Sequence, residues 1–122
     1  MLVGLYGTLK VGHFNYERLL KGEVPKTALF VVLPFEMHTN DEYPMLVPTL
    51  DGERHPIWLE VFEVDDDKMK ELDALEAPYG YWRESVFAEE LGESFEIYLH
   101  PAPAPAGFTR VASGKWPAGA QA

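Results

Sequence analysis

IWLEVFEVDDDKMKELDALEAPYGYWRE, residues Ile57 to Glu84, changes its hydrophobic period midway, and that change sets the fold class. From Ile57 to Val64 the side chains alternate, with Ile57, Leu59 and Val61 on one face and Trp58, Glu60 and Phe62 on the other. That is the pattern of a strand. Asp65 to Asp67 then supply a helix start, where acidic side chains meet the positive end of the helix dipole. The helix is expected to run to Leu75 or Glu76 and to stop before Pro78, which disfavours helical backbone in the residue preceding it. A second strand follows over Trp82 to Ala88, and a third over Ser94 to His100, with Leu91-Gly92 between them.

Working outward, Val3 to Tyr6 reads as a first strand buried on both faces, followed by a loop between Gly7 and Gly12. Phe14 to Lys21 reads as a short helix closed by Gly22. Thr27 to His38 is rich in Phe, Val and Leu but is interrupted by Pro34, which fits two short strands or one kinked edge strand. Tyr43 to Val47 is another extended piece. After His100 comes PAPAPAG, residues 101–107, which favours an extended polyproline conformation. Trp116, in SGKW, is a large apolar group expected to dock on the body. Many strands with only two helices predict an α+β fold: a small mixed, strongly bent sheet forming a partly closed barrel, with a few short helices. Residues 1–122 are read as one domain, with 101–122 a proline-rich tail.

The 122 residues are 47% hydrophobic and 13% aromatic, enough for a globular core without disulfides or a structural metal. The absence of cysteine removes thiolate metal sites and a cysteine nucleophile together, and leaves cytoplasm as the default compartment. No apolar run approaches the roughly 18 residues that would span a bilayer, so no membrane partner is expected. A net charge of −10 repels phosphate backbones and argues against nucleic acid. Nothing in the sequence sets the oligomeric state.

Glu76 is the local anomaly. With Met69 at 0° on the helical wheel, Leu72 falls at about 300° and Glu76 at about 340°, inside the stripe expected to face the core. A carboxylate there is partly desolvated and close to the negative end of the helix dipole, and both effects raise its pKa towards the range of a general base. Two plainer readings stay open: the helix frays early and Glu76 points to water, or Glu76 pairs with Arg83. His13, His38, His55 and His100 show no metal-binding spacing, and no metal or other cofactor is expected. None of the three serines lies in a nucleophile elbow, and the glycines near the N-terminus form no phosphate loop. Tyr81, Trp82 and Tyr98 fit either a core or a pocket wall.

Two segments carry a resemblance. Tyr6-Gly7-Thr8-Leu9 directly after a first strand, and Leu72-Asp73-Ala74-Leu75-Glu76 followed by Tyr81-Trp82-Arg83, are similar to the pattern of the gamma-glutamylcyclotransferase-like family, which includes the gamma-glutamylamine cyclotransferases and AIG2-like proteins. Gly114-Lys115-Trp116 matches a further short motif of that family near the C-terminus. The family glutamate usually precedes glycine, whereas Ala77 follows it here. The resemblance implies a small α+β fold around a bent, partly closed barrel.

It also implies a metal-independent cyclisation in the cytoplasm. The α-amine of a small-molecule gamma-glutamyl substrate attacks its own γ-carbonyl, giving 5-oxoproline and a free amine or amino acid. Glu76 takes the position of the catalytic acid/base. Substrate binding falls to Tyr6, Gly7, Thr8 and Leu9, chiefly through backbone amides, with Gly7 allowing close approach, and to Tyr81 and Tyr98. Lys10 is expected to be exposed, and Arg83 to be a structural or orienting partner. Two alternatives accompany this reading: a non-catalytic domain that binds small carboxylates, and removal of a gamma-glutamyl group from a larger biosynthetic intermediate.

Overall fold

A computed structural model describes residues 1–117. Strand β1 (Leu2–Leu5) lies at the centre of a five-stranded sheet of order β2-β5-β1-β7-β6, built with β2 (Thr27–Leu33), β5 (His55–Glu63), β6 (Trp82–Ala88) and β7 (Glu93–Leu99). It runs antiparallel to β5 and parallel to β7. A second, three-stranded sheet has the order β4-β3-β8, from β3 (Phe35–Thr39), β4 (Pro44–Pro48) and β8 (Thr109–Arg110). Pro34 lies between β2 and β3, where a residue without an amide hydrogen ends one ladder and lets the chain cross to the other sheet.

The larger sheet curls until its two edges approach one another. The Val32 amide on edge strand β2 donates to a Glu90 carboxylate oxygen 2.8 Å away, just beyond the opposite edge strand β6. The chain is thus a mixed α+β fold around a strongly curled half-barrel with two short helices. Ile57, Leu59 and Val61 point into the barrel and join Val31, Phe95, Ile97 and Leu46 in its core. Burying such side chains stabilises the fold by roughly 1.5–3 kcal/mol each.

The opposite face of the sheet carries both helices, α1 (Phe14–Leu19) and α2 (Asp66–Glu76). Met69 and Leu72 of α2 meet Val3, Leu5, Phe62 and Tyr98 of the sheet in a second apolar cluster. Asp65 caps α2, its side chain accepting the Lys68 amide at 2.8 Å. A single 3-10 turn, Ala77–Tyr79, follows and ends at Gly80, whose φ is +87°. The expected helix over Phe14 to Lys21 ends earlier, at Leu19, and the expected strand over Ser94 to His100 shifts by one residue to Glu93–Leu99. Strand β8 has no counterpart in the sequence reading, because its two residues pair only with β3.

Among the described residues no helix is long and apolar enough to cross a membrane. The last five residues of the expected tail, 118–122, lie outside the described part.

Candidate active site

The loop leaving β1 is shaped by the helix that follows it. The Thr8 carbonyl accepts both the Asn15 and the Tyr16 amides at 3.0 Å, and the Thr8 hydroxyl oxygen accepts the Asn15 side-chain amide at 2.7 Å. Thr8 thereby satisfies donors at the start of α1 that have no partner within the helix. Lys10 closes the turn by donating its amide to the Gly7 carbonyl. Among the described residues, the amide hydrogens of Gly7, Thr8 and Leu9 take no protein acceptor. These three residues line a cavity of about 310 Å³.

Glu76, at the last turn of α2, lines the same cavity. Neither plainer reading of it describes the structure. The helix continues through Glu76, whose side chain is half-buried, and Arg83 pairs elsewhere, with Asp73 at 2.9 Å and Glu96 at 2.7 Å. Desolvation by the surrounding protein pushes its pKa up from an ordinary 4.5 to about 7.

Three tyrosines complete the inner cavity, and each feels the Glu76 charge. Burial raises all three phenols, and the nearby carboxylate raises them further. Tyr6 donates to the Tyr98 carbonyl at 2.7 Å and accepts the Leu46 amide at 3.3 Å, so its hydroxyl is committed on both sides. Tyr81 donates to the Pro44 carbonyl at 2.8 Å, and Tyr98 to the Asp73 carboxylate at 2.7 Å. The structure therefore gathers Tyr6, Gly7, Thr8, Leu9, Glu76, Tyr81 and Tyr98 around one cavity. Phe14 and Tyr79, 71% and 61% exposed, stand at its rim with Arg18, Glu42 and Tyr43.

One expectation about this loop needs correction. Lys10 is not exposed but 4% accessible, and its ammonium donates to the Trp116 carbonyl. Burial lowers its pKa. Glycine at position 7 also has a packing reason. A Cβ there would lie 2.9 Å from the Pro44 ring, so it is the packing of β4 that excludes a side chain. Trp116 itself is buried, with its indole N–H donated to Thr39 at 3.0 Å and its ring beside His13.

A cavity lined both by a desolvated carboxylate and by a loop with unpaired amides suits a ligand carrying both an anionic and a proton-donating group. A family model described as gamma-glutamyl cyclotransferase, AIG2-like, matches residues 3–118. The chain belongs to this family. A gamma-glutamylaminecyclotransferase from Bos taurus is 32% identical over 84 residues, 62% of this chain and 48% of the relative, so the chain spans about half that protein's length.

Solved structures share the AIG2-like fold. An AIG2-like protein from Mus musculus superposes with a TM-score of 0.67 at 25% identity, over 85% of this chain and 79% of the other. An uncharacterized protein from Pyrococcus horikoshii gives 0.73 at 21% identity, over 94% and 88%. Within this AIG2-like chain the sequence reading missed Asn15, which orders the loop through Thr8, and Asp73, which holds Tyr98. Asp73 lies inside the Leu72–Glu76 motif, but its partners come from β6 and β7, ten and twenty-five residues away. Among the described residues no three His, Asp or Glu side chains gather as a metal site.

Proposed function

We propose that the protein is a gamma-glutamylcyclotransferase-type enzyme that converts a gamma-glutamyl amine or gamma-glutamyl amino acid to 5-oxoproline and a free amine. The observation that carries this reading is that Glu76, its pKa raised to about 7 by burial, and the Gly7 to Leu9 loop with its unpaired amides line one cavity. Family membership supports it independently.

The chemistry follows from what each wall supplies. An α-ammonium has no lone pair, so Glu76 first accepts a proton from it. The freed nitrogen attacks the γ-carbonyl carbon, closing the ring and placing negative charge on the carbonyl oxygen. Amide hydrogens aimed at that oxygen stabilise it without reorganising. Collapse breaks the bond to the departing nitrogen, which takes up protons as it leaves. Two protons leave the attacking nitrogen and two reach the departing one, so Glu76 returns to its starting state. General acid–base catalysis of this kind is worth about 10²- to 10⁴-fold, or roughly 3–5 kcal/mol of barrier. The loop donors are uncharged, and at close range they outweigh the repulsion that a net charge of −10 exerts on an anionic substrate.

The test is incubation with a panel of gamma-glutamyl amines and gamma-glutamyl dipeptides, with 5-oxoproline measured by mass spectrometry. Release from at least one member, abolished by Glu76→Gln, is the expected result. Binding of 5-oxoproline without turnover of any member overturns the reading in favour of a carboxylate-binding domain.

A further inference from the structure

The tyrosine hydrogens are all spent before a ligand arrives. Tyr6 gives its hydroxyl hydrogen to the Tyr98 carbonyl, Tyr81 to the Pro44 carbonyl and Tyr98 to Asp73, at 2.7, 2.8 and 2.7 Å. Each acceptor is a carbonyl or a carboxylate, and neither has a hydrogen to give back. The Tyr6 oxygen is further occupied by the Leu46 amide. Tyr81 and Tyr98 are thus left with acceptor capacity alone, on the same cavity as Glu76, which is also an acceptor when ionised.

Asp73 fixes this polarity at Tyr98. Its Oδ1 takes both the Tyr98 hydroxyl and Arg83 Nε, at 2.7 and 2.9 Å, and its Oδ2 takes a second Arg83 nitrogen at 3.2 Å. Arg83 is in turn anchored to Glu96 at 2.7 Å. Two-pronged contact with a guanidinium holds a carboxylate in one orientation. Asp73 also stands three residues before Glu76, so the same contacts tie the last turn of α2 to β6 and β7.

We propose that Asp73 is a positioning residue which, held by Arg83, locks Tyr98 as a hydrogen-bond acceptor, so that Glu76, Tyr81 and Tyr98 together form a receptor for a protonated amine. The Gly7 to Leu9 loop, whose three amide hydrogens take no acceptor among the described residues, takes the oxygen-bearing end of the ligand. The cavity is therefore polarised, and it selects ligands with an α-ammonium over those that lack one. This rests on the reading of Glu76 as the group that faces the substrate amine.

L-glutamate and glutarate differ only in that amine, and their binding is followed by NMR chemical-shift titration. The wild-type protein is expected to prefer L-glutamate. Tyr98→Phe and Asp73→Asn, checked for folding by circular dichroism, are expected to reduce that preference by about 10-fold or more while leaving glutarate binding nearly unchanged. Phenylalanine removes the acceptor, and asparagine can offer Tyr98 a hydrogen and turn its own outward.

Loss of both ligands in parallel assigns Asp73 a purely structural role and overturns the proposal. So does a wild type that binds the two alike or binds neither. The outcome separates from that of the reaction itself. A wild type that releases 5-oxoproline but shows no preference sinks this proposal and leaves the reaction standing. A preference that both variants abolish, in a protein that turns over no substrate, does the reverse.

Discussion

The buried ammonium of Lys10 donates to the main-chain carbonyl of Trp116, 106 residues further along the chain. This contact joins the end of the Tyr6–Lys10 loop to the Gly114–Trp116 motif. The Trp116 indole is fixed by Thr39, and Gly114 presses against the backbone of Pro56, where a Cβ would fall 1.8 Å from the carbonyl oxygen. The loop that carries the three unpaired amides is therefore braced from the far end of the sequence.

Lys10→Met keeps the length of the side chain and removes its hydrogens, leaving a buried carbonyl short of its partner. An unsatisfied buried acceptor costs about 1–3 kcal/mol. The expected result is a lower urea midpoint with an unchanged slope. An unchanged midpoint means that Lys10 is dispensable to the brace.

Glu76→Gln preserves shape and removes the base. A fall in kcat of about 10²- to 10⁴-fold is expected, with a far smaller change in KM. In the wild type, kcat/KM is expected to rise from acid pH with a midpoint near 7, because burial holds the carboxyl there and only its ionised form accepts a proton. A midpoint near 4.5, the ordinary glutamate value, contradicts the desolvated position of Glu76.

The fold was legible wherever the pattern was local. The alternation of Ile57 to Val64, the Asp65 cap and the stop at Pro78 mark β5 and α2 because each signal lies within a few residues of its effect. Glu76 was legible for the same reason: its place on the wheel depends on Met69 and Leu72 alone. What escaped depends on distant pairing. Strand β8 exists only through β3, Lys10 is buried only because Trp116 arrives over it, and Asp73 acquires its role from Arg83 and Tyr98. A lysine after a turn carries no mark of such a partner.

Removing the Glu76 charge is expected to stabilise the protein at neutral and higher pH. Below pH 4.5 the carboxyl is protonated in both folded and unfolded chains, and the glutamine variant gains nothing. Between 4.5 and about 7 the unfolded chain ionises while the folded one holds its proton, so the wild type loses stability as pH rises. The loss amounts to up to about 3 kcal/mol and is complete above pH 7. Glu76→Gln is therefore expected to match the wild-type Tm at pH 4 and to exceed it at pH 8. Equal values at both pH values mean that Glu76 is solvated when folded.

Gly7→Ala separates packing from ligand approach. The added Cβ meets the Pro44 ring at 2.9 Å on both Cγ and Cδ, and a rigid pyrrolidine has little room to yield. Overpacking of this kind costs about 1–3 kcal/mol. If the clash is the whole cause, Pro44→Ala removes the obstructing atoms, and Gly7→Ala in that background costs much less. The two substitutions then couple by about 0.5–3 kcal/mol in a double-mutant cycle, measured by urea unfolding without ligand. Additive costs place the need for glycine in the loop backbone or in the ligand instead, and Pro44 is then a bystander.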